Sequence, residues 1–216
     1  MTARLRVHTL STSLDGYVAG PHQSLGDPLG VGGEQLHEWA FATRTFQGVH
    51  GDDPSGSTGV DDQMAAKGEV GIGATIMGRN MFGPIRGGWP DGSWTGWWGS
   101  VPPWHHHVYV LTHHPRSSVE MEGGTTFHFV TDGIESALEQ AGAAAGDRNI
   151  SIAGGASTVN QYLAAGLLDE LRLHVTPCIL GAGERVLDGV PAQPLELVSV
   201  RPASRVTHLT YRAARS

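Results

Sequence analysis

The chain has 216 residues, a formal net charge of −7 and only 16% charged residues. Glycine and proline together make up about one fifth of it, below the share that is typical of disordered or collagenous chains. Its basic residues are almost all arginine, with Lys67 as the single lysine, so the sequence lacks the basic footprint that nucleic-acid binding requires.

The cysteine content and the hydropathy bear on location. Cys178 is the only cysteine, which excludes an internal disulfide and an all-cysteine metal site. A strand-like run begins at Arg4, which leaves no room for a signal peptide, and no apolar run reaches the roughly 18 residues of a membrane span. We therefore expect a cytoplasmic protein with no membrane partner, folded as one domain over residues 1–216.

Strand and helix patterns alternate along the chain. Strands are predicted over residues 4–14, 74–77, 107–112, 126–130, 150–153 and 171–175, followed by a hairpin of residues 195–200 and 206–211. Helices are predicted over residues 34–47 with Gly48 after the end, over 61–67 ending at Gly68, and over 157–165. A further helix is predicted to begin at an N-cap at Asp132, with Glu135 as its capping-box partner, and to end at Gly146. This order predicts an α/β fold with a mostly parallel central sheet, helices on both faces and an antiparallel C-terminal edge.

Several kinds of chemistry lack their motif. No G-x-G-x-x-G follows a strand, no phosphate-binding G-x-x-x-x-G-K-[ST] occurs, and no G-x-S-x-G elbow is present. The histidines of 105–107, with His113 and His114, flank one strand, and His105 and His107 with a carboxylate would suit zinc. Polar residues at strand ends are the commoner explanation, and we expect no metal.

Two strand-to-helix turns have the glycines that an anion site needs. One is Gly78-Arg79-Asn80, and the other runs from Gly154 to Thr158. Each would place free backbone N–H groups at a helix N-terminus, and Arg79 adds a planar cation suited to phosphate. Tight turns alone would explain either glycine pattern, but the pair together with Arg79 favours a ligand at the carboxyl ends of the strands.

Four stretches carry a resemblance to a known family. Residues 13–20 read S-L-D-G-Y-V-A-G, residues 77–82 read M-G-R-N-M-F, residues 154–156 read G-G-A, and residues 166–183 contain G-L-L-D-E-L and then P-C-I-L-G-A-G. In this order they resemble the dihydrofolate reductase-like superfamily. The closest branch holds the C-terminal reductase domain of the bifunctional riboflavin-biosynthesis deaminase-reductase.

The resemblance implies the cofactor and its site. It implies NADPH across the strand ends, with the nicotinamide against the first strand and its 15–19 loop. The cofactor-binding residues that it implies are Ala19, Gly78, Arg79, Asn80, Thr112, His113, Gly154, Gly155, Ala156, Ser157 and Thr158. Hydride would pass to a C=N or C=O bond of a flat heterocycle or an open sugar imine.

The family pattern is not complete. Riboflavin-pathway reductases usually carry lysine where Tyr17 stands and an acid where Ala153 stands, and these residues hold the phosphoribosyl substrate. In dihydrofolate reductases a carboxylate of the first helix holds the pterin, and Glu34 and Glu38 lie in the corresponding predicted helix. The tryptophan-rich stretch of residues 87–104 matches neither pattern, and it is either a lid over a flat substrate or a hydrophobic clamp.

The candidate catalytic residue is Asp15, which either orients substrate near the nicotinamide or only shapes a turn with Gly16. Asp169 and Glu170 follow a helix end, where structural bonds or dimer contacts are a better explanation than a catalytic pair. The leading function is an NADPH-dependent reductase of a small heterocycle, most like 5-amino-6-(5-phosphoribosylamino)uracil reductase of riboflavin biosynthesis. The alternatives are dihydrofolate reduction and a nucleotide-binding module without turnover.

A homodimer is expected from the resemblance. Relatives in this branch pair through the sheet edge and the C-terminal strands. The candidate surface here comprises Leu171, Leu173 and Val175, extended by Ile179 and Leu180. An exposed apolar strand of that length would promote aggregation unless another chain covered it.

Overall fold

The structure is a computed structural model that describes residues 4–50, 55–90 and 93–213. Its strands are β1 (Leu5–Thr12), β2 (Tyr17–Ala19), β3 (Ile72–Gly78), β4 (His107–Leu111), β5 (Val119–Glu120), β6 (Thr126–Val130), β7 (Asn149–Gly154), β8 (Glu170–Val175), β9 (Glu184–Arg185), β10 (Leu195–Pro202) and β11 (Thr207–Ala213). Its helices are α1 (Glu38–Phe41), α2 (Arg44–His50), α3 (Val60–Glu69), α4 (Arg79–Phe82), α5 (Ile134–Ala145) and α6 (Ala156–Ala164), with short 3-10 turns at Gly33–Leu36 and Glu122–Gly124.

The described strands form a nine-stranded sheet in the order β10-β11-β8-β1-β7-β3-β4-β6-β5. The run from β8 to β6 is parallel throughout, while β11, β10 and β5 are antiparallel to their neighbours. The strands β2 and β9 pair separately beside β1. The predicted parallel sheet with an antiparallel C-terminal edge is confirmed.

Each face of the sheet has its own cover. On one face α5 and α6 pack against β3, β4 and β7, and the buried side of α5 recurs at Ile134, Ala137, Ala141 and Ala145 with helical spacing. On the other face α3 lies on β1, so closely that a Cβ on Gly68 would come 2.9 Å from Thr9 Cγ2. Gly68 was predicted to end this helix, but it lies inside α3, where this close contact leaves no room for a side chain.

The tryptophan-rich stretch is a packed cover over β4 and β6. Its indoles surround Phe82 of α4 in a second apolar cluster with Val108, Val110 and Phe127. The indole N–H groups of Trp97 and Trp98 both donate to the carbonyl of Met81 at 2.7 Å. The stretch therefore packs as part of the core, and some of its tryptophans also line the cleft that is described below.

The helix predicted over residues 34–47 is interrupted. The Thr43 side chain donates to the Ala40 carbonyl and accepts the Phe46 N–H, so it closes one turn and begins the next. A returning strand contact pairs Thr43 with Ser57, and helix α2 then runs through Gly48 to residue 50. The interruption comes from this long-range contact, which local periodicity does not show.

The predicted cap of α5 is wrong. Gly133, with φ of +95°, precedes the first helical residue, Ile134, and no side chain caps the helix among the described residues. The Asp132 carboxylate instead accepts the hydroxyl of Thr131 at 3.3 Å. The predicted end is correct, because Gly146 caps the C-terminus with φ of +64°.

The predicted dimer surface on β8 is also wrong. Strand β8 lies between β1 and β11, and Leu171 and Leu173 are 1% and 9% exposed within the core. The edge strand is β10, on which Leu197, Val198 and Val200 are about half exposed. The order of strands leaves β8 no free edge, and the burial of Leu171 and Leu173 in the core makes their side chains inaccessible to a partner.

Candidate active site

A cleft of about 1060 Å³ opens at the carboxyl ends of the parallel strands, on the face that carries α1 to α3. Ligands of α/β proteins bind at this end of the sheet. All of the predicted cofactor residues line it, namely Ala19, Gly78, Arg79, Asn80, Thr112, His113, Gly154, Gly155, Ala156, Ser157 and Thr158. The fold thus brings together segments that are separated by up to 139 positions in the chain.

The turn from β7 into α6 leaves backbone N–H groups open toward the cleft. Gly154 and Gly155 have φ of +144° and +86°, and no side chain of the described residues caps the helix. The first N–H of α6 with an intrahelical acceptor is that of Val159, which donates to the Gly155 carbonyl. Because the N–H groups before it have no such acceptor, the helix N-terminus attracts negative charge.

The turn from β3 into α4 lies against this one. A Cβ on Gly78 would come 2.7 Å from the Thr158 hydroxyl oxygen and 3.9 Å from Gly155 Cα. A side chain at position 78 would therefore have to displace the Thr158 hydroxyl, whereas glycine leaves it in place. Both helix starts consequently face the same part of the cleft.

Arg79 lies at the mouth of this pair of turns. Its guanidinium stacks on the Trp89 ring at 4.2 Å and donates to the Gly88 carbonyl at 3.2 Å. Burial, together with nearby Arg86, lowers the pKa of Arg79. Its Nε is buried and has no hydrogen-bond partner within the described part of the chain. A buried donor without an acceptor is costly, so this atom favours an acceptor from a ligand.

The remaining cofactor candidates border the same region. The Asn80 amide donates to Gln23 Oε1 at 3.3 Å and accepts from Arg86 at 3.4 Å. The Thr112 hydroxyl accepts the His114 N–H at 3.1 Å beyond the end of β4. Ala19 is buried in β2, at the opposite end of the candidate set.

Asp15 has a different setting. Its carboxylate accepts the Ser13 hydroxyl at 2.6 Å and the N–H groups of Leu180 and Gly181 at 3.1 and 2.7 Å. These hydrogen bonds, that of Ser13 foremost, lower the pKa of Asp15 to about 2. The carboxylate ties the β1–β2 turn to residues 180–181 and is not among the described residues that line the cleft. This geometry favours turn shaping over contact with substrate.

The other half of the cleft was only partly expected from the sequence, which pointed to the tryptophan-rich stretch but not to the α1–α2 segment. Its sides are aromatic, from the α1–α2 segment and from the tryptophan-rich stretch, and hydroxyl groups lie on the sheet between them. The aromatic residues are Trp39, Phe41, Phe46, Trp97, Trp98 and Trp104, and the hydroxyl residues are Thr9, Ser11, Thr75 and Ser151. The alternation of β1, β3 and β7 hinted at two faces, but the covering segments are non-local.

The acidic candidates separate clearly. Glu34 lines the cleft and is exposed, whereas Glu38 is not among the described lining residues. Asp169 accepts the Leu5 N–H at 2.9 Å, and Glu170 pairs with Arg172 at 2.8 Å. The latter two acids make the structural bonds that were preferred for them.

The histidines flanking β4 also have protein partners. His107 contacts His128 at 2.9 Å and His105 contacts the Gly123 carbonyl at 2.8 Å. Within residues 4–50, 55–90 and 93–213, no set of three or more His, Cys, Asp or Glu side chains is arranged to hold a metal ion.

Over the same residues, no helix has the length and apolar character needed to cross a membrane.

Comparison with solved structures shows the fold. A protein from Shewanella sp. PV-4, assigned to riboflavin biosynthesis, matches with a TM-score of 0.58 at 19% identity, covering 100% of both chains. The diaminohydroxyphosphoribosylaminopyrimidine deaminase/5-amino-6-(5-phosphoribosylamino)uracil reductase of Thermotoga maritima matches at 0.54 and 14% identity, covering 99% of this chain and 56% of that one. Dihydrofolate reductase of Enterococcus faecalis, complexed with NADP(H), matches at 0.53 and 14% identity over 99% and 97% of the two chains.

Comparison with sequences shows the family. No curated protein sequence matches significantly. A model of the RibD C-terminal domain, however, matches residues 7–209, which include all of the motifs quoted above. The chain belongs to the RibD C-terminal domain family of oxidoreductases.

Proposed function

We propose that the chain is a cytoplasmic NADPH-dependent reductase of a small heterocyclic substrate, most like 5-amino-6-(5-phosphoribosylamino)uracil reductase. The observation that carries this is the gathering of every predicted cofactor residue along one cleft. Membership of the riboflavin-pathway branch supports this substrate class over dihydrofolate.

The residues present fit a nicotinamide dinucleotide phosphate. The uncapped start of α6 after Gly154 and Gly155 offers backbone donors for a pyrophosphate. Arg79 offers a cation with a buried Nε that lacks an acceptor among the described residues, which suits a 2′-phosphate. Ala19 and Leu10 border the cleft near the first strand, where the nicotinamide is proposed to lie.

The cofactor would supply the hydride, and the protein would bind, orient and exclude water. The aromatic sides of the second half, including Phe46 and Trp98, suit a flat ring by stacking. The hydroxyl groups of Ser11 and Ser151 suit the polar edge of such a ring as hydrogen-bonding partners. The hydrogen bonds of the Asp15 carboxylate to Leu180 and Gly181 support a role for Asp15 in shaping the turn beside the site.

Oxidation of NADPH, followed by its absorbance, tests this function with pyrimidine, pterin and dicarbonyl substrates in parallel. We expect turnover with a pyrimidine-type substrate. Turnover with dihydrofolate alone would instead identify a dihydrofolate reductase. Tight binding of NADPH without turnover of any substrate would identify a nucleotide-binding module.

We further propose that the protein is a homodimer, now through β10. This strand lies at the edge of the sheet, and its exposed side chains include Leu197 and Val200. An edge strand with such side chains offers both unpaired backbone groups and apolar area to a second copy.

A further inference from the structure

A buried chain of polar groups lies on the sheet behind one side of the cleft. His208 of β11 and His174 of β8 are 1% and 0% exposed and face each other across the antiparallel pair. Asp61 Oδ1 of α3 lies 2.8 Å from His208 Nε2, and His208 Nδ1 lies 2.7 Å from His174 Nδ1. At the far end, His174 Nε2 lies 3.3 Å from the carbonyl oxygen of His8.

The hydrogens of this chain can be counted. Both of its ends, the Asp61 carboxylate and the His8 carbonyl, are acceptors only. Three contacts therefore need three hydrogens, whereas two neutral imidazoles carry one each. With two hydrogens, one contact is left without a hydrogen: either the two Nδ1 atoms face each other unprotonated, or an unprotonated nitrogen faces the carbonyl or carboxylate oxygen, and each of these is repulsive. One additional proton completes all three contacts.

The place of this proton follows from the surroundings. Burial lowers the pKa of His174 to about 3, so this ring does not hold a second hydrogen. Burial also lowers the pKa of His208, against the hydrogen bond and the charge of Asp61, which raise it. The proton therefore belongs to the Asp61–His208 pair, where either atom of the contact offers it a site.

The other charged and titratable neighbours do not replace it. Arg172, beside His174 on β8, is paired with Glu170 at 2.8 Å. Burial lowers the pKa of both His8 and His37 to about 4, so both rings are neutral near pH 7. The next acid of α3, Asp62, accepts the N–H and hydroxyl of Thr45.

The chain leads to the cleft through one indole. The Trp39 ring lies 4.6 Å from that of His174 and 5.0 Å from that of His208, and it is 3% exposed. Its Nε1 donates to the Ser11 hydroxyl oxygen at 2.9 Å. Both Trp39 and Ser11 line the cleft, so the orientation of the two imidazoles sets the position of a hydroxyl at the site.

We propose that Asp61, His208 and His174 share one proton beyond those of the neutral imidazoles, and that this protonated chain positions Trp39 and Ser11 in the cleft. The three residues are positioning residues and do not touch a ligand. Their positioning role rests on the proposed function only because it takes the cleft to be the functional site. The tests below need neither cofactor nor turnover.

The Asp61→Asn variant tests the shared proton. An asparagine amide donates to His208 Nε2, which completes the three contacts without any additional proton. Above about pH 5 the unfolded wild type and variant bind the same number of protons, because Asp61 is then ionised in the unfolded chain. In the folded state the wild type binds one proton more than the variant does. As the pH falls below the pKa of the shared proton, the unfolding constant of the wild type should therefore fall by about tenfold per pH unit relative to that of the variant.

Urea unfolding of both proteins from pH 8 to pH 5 measures this ratio. We expect it to change by at least threefold, with the wild type gaining as the pH falls. A ratio that stays within threefold overturns the shared proton. The matched control is Asp62→Asn, which removes the neighbouring carboxylate and leaves Asp61, His208 and His174 unchanged. The ratio of its unfolding constant to that of the wild type should stay constant over this pH range.

Nitrogen-15 NMR of histidine-labelled protein gives a second readout in the wild type itself. Ring nitrogen shifts distinguish the two neutral tautomers from the doubly protonated ring. At pH 5 we expect His174 to carry its hydrogen on Nε2, and hydrogen on Nδ1 alone would contradict the proposal. The indole N–H of Trp39 should shift with the same midpoint in the wild type and not in Asp61→Asn. An indole that stays constant while the histidines titrate overturns the positioning role.

Discussion

At the scale of single residues, Arg79 is the cation proposed to bind the 2′-phosphate of NADPH. Replacing it with alanine removes a charge-assisted hydrogen bond of about 1.5–3 kcal/mol, so the Kd for NADPH should rise roughly ten- to a hundredfold. The Kd for NADH should change less, because NADH lacks the 2′-phosphate. Calorimetric titration of both cofactors measures this.

The control for Arg79 is Arg212→Ala, at the far edge of the sheet in an exposed pair with Glu196. It should bind NADPH as the wild type does. Equal affinity of the wild type for NADPH and NADH would contradict the role of Arg79.

Gly155 is the second residue with a sharp expectation. Its φ of +86° strains any L side chain, although a Cβ there would meet Gly78 and Thr158 only at ordinary distances of 3.6 Å. Gly155→Val should therefore move the turn out of its left-handed conformation, at about 1–2 kcal/mol of stability, and misplace the N–H groups of α6. We expect NADPH binding to fall below detection by calorimetry.

A matched glycine separates loss of binding from simple strain. Gly146 has φ of +64° at the end of α5, and a Cβ there would meet nothing within 4 Å. Gly146→Val should lower the melting temperature by a similar amount and leave NADPH affinity intact. A Gly155→Val protein that is destabilised but binds NADPH normally would remove the pyrophosphate from this turn.

At the scale of elements, the N-terminus of α6 allows a test in which stability and binding move in opposite directions. Ser157 is exposed in the first turn and lines the cleft. Ser157→Asp places a negative charge at the positive end of the helix, which should raise the free energy of unfolding by about 0.3–1 kcal/mol. The same charge would repel a pyrophosphate, so NADPH affinity should fall at least tenfold.

Urea unfolding and calorimetric titration on the same preparation give both quantities. The comparison variant is Ser157→Asn, which has a similar volume without the charge and should bind within a few-fold of the wild type. If Ser157→Asp gained stability and kept its affinity, the anion would not lie at this helix end.

At the scale of the whole molecule, the edge strand β10 determines the expected assembly. Light scattering at micromolar concentration should give twice the mass of the 22.8 kDa chain. Val200→Lys places a charge on the apolar face of the edge and should shift the protein to monomers without unfolding it, since Val200 is 49% exposed. Ser199→Lys, on the opposite face of the same strand, should remain dimeric. A wild type of single-chain mass would refute the dimer.

The success of the sequence-based predictions depended on how local the governing interactions are. The central strands and the C-terminal ends of α5 and α6 were predicted closely, because alternation and a glycine at the helix end act within a few residues. The helix over 34–47 was predicted as unbroken, because its interruption at Thr43 depends on Ser57 folding back onto it. Leu171 and Leu173, which were assigned to a dimer surface, lie in the core, because β11 pairs with the edge of β8 and other segments pack on its face, neither of which periodicity shows.

The candidate site divides in the same way. The sequence by itself determined the family and the fold class, and it predicted residues that line one half of the cleft, because glycine turns and Arg79 are recognisable wherever they occur. Only the tertiary structure decided that Asp15 bonds to residues 180–181, that Glu34 and not Glu38 lines the cleft, and that tryptophans form one of its sides. It also brought Asp61, His174 and His208 into one hydrogen-bonded chain. The physical reason is that such contacts join segments far apart in the chain, and their geometry is set by packing across a sheet instead of by neighbouring residues.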